Sequence, residues 1–148
     1  MAEGNGLMVP DTPAEELPVV SVLSVAGVRK PEVKTVARDE KAPEDRKTVF
    51  ANDEDRVLTK DKMRLCLRMA ATKGHTMLVL GALGCGAFKN PPEEVAECWK
   101  EVLDESEFAG GWFKEIWFAV FDRKGDGNLP IFSKALDGRK TGIIAGET

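Results

Sequence analysis

The chain has 148 residues, 43% of them hydrophobic and 31% charged, and a net charge of -4. That length suits one compact domain. The acidic balance argues against a protein that grips a polyanion by overall charge, so direct binding of DNA or RNA is not expected. Any phosphate must instead be held locally, by backbone N–H groups at a loop or a helix end.

Residues 1–16 are rich in Gly, Pro and acids and read as a disordered lead-in. Pro18 then opens Val19-Val20-Ser21-Val22-Leu23-Ser24-Val25, a β-branched run that predicts a strand buried on both faces. Residues 29–51 carry Pro31, Pro43 and charges of alternating sign without periodicity, and predict a long solvated loop, with binding of a partner as the alternative. From Asp53 the apolar residues Val57, Met63, Cys66, Leu67, Ala70 and Ala71 recur at a helical period, and Gly74 is placed to end that helix. Thr76-Met77-Leu78-Val79-Leu80 predicts a second buried strand, followed by the glycine-rich stretch from Gly81 to Gly86.

Asn90 is a candidate cap for a second helix opened by Pro91-Pro92-Glu93-Glu94, where prolines and acids belong in the first turn. Val95, Trp99, Val102 and Leu103 mark its apolar face, and Gly110-Gly111 breaks it. Ile116-Trp117-Phe118-Ala119-Val120-Phe121 predicts a third strand, residues 122–127 a charged turn, and residues 129–136 a short terminal helix. Residues 141–148 read as a flexible tail. Helices alternating with buried strands imply an α/β fold with a small, mainly parallel sheet. A sheet of three strands leaves open edges. Two kinds of partner would cover them, a second copy of the chain or a complementing chain.

Cys66, Cys85 and Cys98 are odd in number and irregular in spacing, which is no disulfide framework. With His75 as the single histidine and no Cys-x-x-Cys pair, neither a metal site nor a cofactor is expected. Cys85 lies near a helix start, where a thiolate would be stabilised, but it has no base in reach and reads as a small packing residue. Trp99, Trp112 and Trp117 are expected in the core rather than as a ligand platform. The start has no basic residues, and no run approaches the roughly 18 apolar residues of a membrane span. The expectation is a soluble intracellular protein without membrane contact, in cytoplasm or nucleus.

The most informative stretch is Leu80-Gly81-Ala82-Leu83-Gly84-Cys85-Gly86-Ala87-Phe88-Lys89-Asn90-Pro91, where a strand runs through glycines into a helix. Ligands of open α/β sheets bind at the carboxyl ends of strands, and glycine lets backbone N–H groups approach a phosphate. The spacing is neither that of a P-loop nor that of a dinucleotide-binding Gly-x-Gly-x-x-Gly. On these residues alone, anion binding and a tight strand-to-helix turn remain alternatives.

Gly81 to Pro92 closely resembles the signature loop of the microbial-type poly(ADP-ribose) glycohydrolase catalytic domain. The resemblance continues in Val95-Ala96, in residues 113–122 and in Ser21-Val22-Leu23-Ser24-Val25-Ala26, and spans about residues 18–137, the second half of that domain. It implies an incomplete macrodomain-like, three-layer α/β/α fold over residues 17–140. It further implies that Gly84, Cys85, Gly86, Ala87 and Phe88 hold the diphosphate of ADP-ribose, or of poly(ADP-ribose), with Phe88 against a ribose. A hydrophobic plug under the loop is the alternative for Phe88. Phe121 and Asp122 are candidates for the adenine side, or else strand and turn residues.

The family cleaves ribose–ribose O-glycosidic bonds with a glycine triplet and a Gln-Glu-Glu motif, whose glutamate is the acid. Neither motif occurs here: Glu15-Glu16 follows Ala14, and Glu93-Glu94 sits in a helix first turn. The resemblance therefore implies a ligand-binding chain with no catalytic residue of its own. A ligand-free interaction fragment that pairs through its sheet edge is the alternative.

Overall fold

The computed structural model describes residues 13–122 and 125–140. The expected tail and most of the expected lead-in lie outside the described residues, as do Arg123 and Lys124. The last residues of the lead-in, Ala14–Glu16, form one exposed 3-10 turn. The elements that follow are β1 (Val33–Asp39), β2 (Ala42–Phe50), α1 (Asp53–Thr72), β3 (Met77–Gly81), α2 (Pro92–Leu103), β4 (Glu115–Ala119) and α3 (Asn128–Leu136).

Two expectations for the first fifty residues are overturned. Val19, Val20 and Val22 are more than 70% exposed, and the segment belongs to no strand. A β-branched run favours extended backbone, but a strand exists only where a neighbouring backbone completes its ladder. Residues 29–51 are not a loop: β1 and β2 pair as an antiparallel hairpin, with Thr35 opposite Thr48 and Val36 opposite Lys47. Lys41 N–H donates to Asp39 Oδ1 at 2.9 Å and fixes the tight turn between the strands. The hairpin escapes an apolar-alternation test because most of it is exposed: Val36, Lys47 and Val49 are half-buried on one face, and Phe50, at the end of β2, enters the core from the other.

α1 buries Thr59, Met63, Cys66, Leu67 and Ala70, one stripe at helical spacing. Val57 lies off that stripe and is exposed. The helix ends as Gly74 predicts: Gly74 is left-handed (φ 75°) and its N–H donates to Ala71 O at 2.9 Å. His75 N–H reaches back to Ala70 O at 3.0 Å, so the two bonds satisfy two of the last carbonyls of the helix.

β3 and β4 are parallel, in register from Met77 opposite Glu115 to Gly81 opposite Ala119, with α2 as the crossover between them. The sheet is buried on one face only, which corrects the expectation of strands covered on both sides. Leu78, Leu80, Ile116 and Phe118 pack toward the helices. The Phe118 ring meets Trp99 of α2 edge-on at 5.7 Å and Phe132 of α3 at 6.0 Å. Met77, Val79 and Trp117 point the other way and are 63%, 74% and 59% exposed. The expected mainly parallel sheet of three strands is thus a parallel pair plus a separate antiparallel hairpin.

The core lies between α1 and α2, where Val95, Ala96, Cys98, Trp99 and Val102 are buried. Of the three tryptophans only Trp99 belongs to it; Trp112 and Trp117 are over half exposed. α2 ends at Leu103, before Gly110-Gly111, so those glycines shape the following loop rather than break the helix. No helix among the described residues is long and apolar enough to cross a membrane.

Candidate functional site

The glycine-rich loop leaves the carboxyl end of β3 and enters α2 at Pro91. Because Gly81 pairs with Ala119, Phe121 and Asp122 leave the sheet at the same edge. The residues singled out in sequence therefore fall at one end of the parallel pair, where α/β folds hold ligands.

Within the loop some N–H groups are engaged and others are not. Cys85 N–H donates to Ala82 O at 3.1 Å, Lys89 N–H to Gly86 O at 3.0 Å, and Asn90 N–H to Gly84 O at 3.0 Å. The N–H groups of Gly84, Gly86, Ala87 and Phe88 find no acceptor among the described residues. Gly86 and Ala87 are exposed. Four of the five residues expected to hold a diphosphate thus present a free donor, and the fifth, Cys85, uses its own to shape the turn. Successive free donors in a turn of this kind form a concavity suited to an anion.

The Cys85 side chain is buried, and desolvation pushes its thiol up to about 12. It is a packing group beneath the loop, not a thiolate. Phe88 is half-buried. Phe121 is 80% exposed just past β4. Asp122 Oδ1 accepts from Gly127 N–H at 3.2 Å and Oδ2 from Leu129 N–H at 3.1 Å, so this carboxylate holds the turn into α3.

The loop is locked by residues that local reasoning did not assign to it. Asn90, expected as a helix cap, makes no capping hydrogen bond; Pro91 occupies the cap position. The Asn90 side chain is instead buried, and its Nδ2 donates to Val28 O at 2.6 Å, Gly84 O at 3.0 Å and Phe88 O at 3.5 Å. Three carbonyls around one nitrogen define its orientation, since a flipped amide would set oxygen against oxygen. Lys30 N–H adds a bond to Phe88 O at 2.8 Å.

Gly27 lies directly on Gly84: a Cβ there would sit 2.8 Å from Gly84 Cα and 3.0 Å from Gly84 N. Residues 27–30 are therefore the second wall of the loop. Their sequence signal was thin, because a glycine that packs on a glycine far along the chain has no local pattern. From below, Trp99 Nε1 donates to Gly81 O at 3.1 Å and ties the strand end to α2.

Among the described residues, the two acids that follow the loop are held in ion pairs. Glu93 is held by Arg38, with bonds of 2.5 and 2.6 Å, and Glu94 pairs with Arg56. Glu15 and Glu16 lie in the exposed 3-10 turn.

A parallel β–α–β unit opening into such a loop, with helices packed on one side of its sheet, is part of a macrodomain-like α/β fold. The chain is similar to bacterial poly(ADP-ribose) glycohydrolases. Compared with the Deinococcus radiodurans enzyme, whose crystal structure is a complex with ADP-ribose, it has 36% identity and a TM-score of 0.52 over 57% of this chain and 34% of that one. Compared with the Thermomonospora curvata enzyme, it has 27% identity and a TM-score of 0.53 over 68% of this chain and 44% of that one. The chain thus spans between a third and under half of the length of these enzymes. No protein-family model and no curated protein matches it.

Proposed function

We propose that this chain binds ADP-ribose through its diphosphate, with the N–H groups of Gly84, Gly86, Ala87 and Phe88 as donors and the Phe88 ring against a ribose. The observation that carries this reading is the set of four free donors in a loop locked by Asn90. It is supported by the similarity to an enzyme crystallised with ADP-ribose. Phe121, at the same sheet edge, is the candidate for contact with the adenine, and Asp122 orients the turn behind it. Because the acids near the loop are paired with arginines, the described residues bind without hydrolysing the ribose–ribose bond.

Gly86 is the residue on which to test this. A Cβ there meets nothing within 4 Å, and its backbone is not left-handed, so Gly86→Val keeps the free fold. Gly84 is unsuitable: it is left-handed at φ 73°, and its Cβ would strike the Asn90 side chain. Calorimetric titration of ADP-ribose should show binding to the parent chain and none to Gly86→Val at unchanged Tm. Equal binding by both would remove the loop from the site, and no binding by the folded parent would end the proposal.

A second reading rests on a separate observation. Met77, Val79 and Trp117 form an open apolar face on the sheet, and such faces mark association surfaces. On that reading the chain is an interaction fragment, and Gly86→Val leaves association intact.

A further inference from the structure

The outer face of the parallel pair has a size pattern of its own. Strand alternation sends Met77, Val79 and Gly81 of β3, and Glu115, Trp117 and Ala119 of β4, to the side away from the helices. In register, Val79 lies beside Trp117 and Gly81 beside Ala119. Two large side chains are thus followed, one step along both strands, by two small ones. That step is a hollow: a Cβ at Gly81 would meet only the Ala119 carbonyl oxygen, at 3.7 Å, and Ala119 is exposed. The alternation continues through half-buried Val120 to exposed Phe121, which stands beyond the hollow.

Such a face is complementary to itself. Sheets stack about 10 Å apart with their side chains interdigitated, large against small. Turned end for end about a twofold axis level with Leu80 and Phe118, a second copy sets Trp117 over the partner's Ala119 and Val79 over the partner's Gly81, and receives the same in return. The other twofold stacking, with the strands running the same way, sets Val79 against Trp117 and Gly81 against Ala119, bulk on bulk and void on void. It also gathers both copies of Glu115, the only charged residue of these six, at one end, whereas the end-for-end stacking keeps them at opposite ends. Met77, Val79, Trp117 and Phe121 together expose about 500 Å² per copy, so a pair removes about 1,000 Å² from water, the lower bound of a specific interface.

We propose that the chain forms a twofold dimer through this face, with Trp117 of each copy seated in the partner's Gly81–Ala119 hollow. The proposal rests on the association reading of the face and names a second copy as the partner. An interface of this size makes a weak dimer, so its population follows concentration.

The test is sedimentation velocity over a range of concentration, with Tm as the control for folding. The parent should approach the mass of a dimer and go no further. Ala119→Trp fills the hollow and should weaken the dimer by about tenfold or more, although it enlarges the apolar surface. Trp117→Ala removes the knob and should weaken it likewise. The exchange Trp117→Ala/Ala119→Trp interchanges knob and hollow, and should restore the dimer at the Tm of the parent. A parent that grows past a dimer, and further still in Ala119→Trp, overturns this packing and leaves the association reading standing. An exchange variant no stronger than the single variants does the same. A parent that stays monomeric at every concentration overturns both.

Discussion

Asn90 is the residue on which the loop depends. One buried amide nitrogen serves three carbonyls that belong to two separate stretches of chain, Val28 on one side and Gly84 and Phe88 on the other. Removing it leaves the Val28 carbonyl without a donor, while Gly84 O and Phe88 O keep only the backbone N–H groups of Asn90 and Lys30, at a cost of about 1–3 kcal/mol. Asn90→Ala should lower the unfolding free energy by that amount in urea titration, together with loss of ADP-ribose binding. Asn90→Asp should be worse at neutral pH, because a carboxylate offers only acceptors to those carbonyls. A loss below about 0.5 kcal/mol in either would show that the amide does not hold the loop. Nothing around Asn90 in sequence announced this role, since an Asn before Pro-Pro-Glu-Glu is the ordinary pattern of a helix start. The cap assignment failed because the side chain turned toward a segment 62 residues away. Gly74, by contrast, was legible, because every partner in its turn lies within a few residues.

Between elements, the contact of α1 with α2 carries a stripe of charge. Arg56, Lys60, Arg64 and Arg68 recur every fourth residue and so share one face of α1. Arg56 pairs with Glu94 and, at 2.5 Å, with Glu101; Lys60 meets Glu101 at 2.9 Å and Arg64 meets Glu105 at 2.7 Å. The Arg56 and Lys60 hydrogen bonds and charges hold the Glu101 carboxyl down at about 2. With the folded value below the unfolded one, the stabilisation is complete above the ordinary carboxylate value of 4.5 and is lost as pH falls toward about 2. Tm should therefore drop across that window. Glu101→Gln should flatten the drop and cost roughly 1 kcal/mol or less at pH 7, since the pairs are partly open to solvent. An unchanged acid profile in the variant would show that Glu101 makes no net contribution. The four-residue spacing was present in the sequence, but its acids were not identifiable, because they lie on α2 and in the turn after it, about forty positions away. The β1–β2 hairpin was missed for a related reason. A two-stranded ribbon that is mostly exposed needs no apolar alternation, and its local traces are the Asp39 turn and the β-branched pairs Thr35-Val36 and Thr48-Val49.

For the whole molecule, the outcome is a sheet covered on one side. The helices bury Leu80, Ile116 and Phe118, while Val79 and Trp117, paired across the strands, stay more than half exposed. Val79→Lys/Trp117→Lys should leave Tm within a degree or two, because it removes no buried contact, and should abolish concentration-dependent association of the parent in sedimentation velocity. A large fall in Tm would mean that this face is covered within the chain. The exposed run of Val19, Val20 and Val22 belongs to the same picture: strand-forming residues without a paired neighbour.

What the sequence determined by itself is what contacts within a few residues decide. Helical periods and end signals placed α1, the start of α2 and α3, short apolar runs placed β3 and β4, and glycine spacing located the loop between β3 and α2. The tertiary structure alone decided which strands found partners, which face of the sheet was covered, and that Gly27, Val28 and Lys30 would close over Gly84 and Phe88. Those outcomes turn on hydrogen bonds and packing between segments tens of residues apart, and no local pattern in the chain encodes the meeting of such partners.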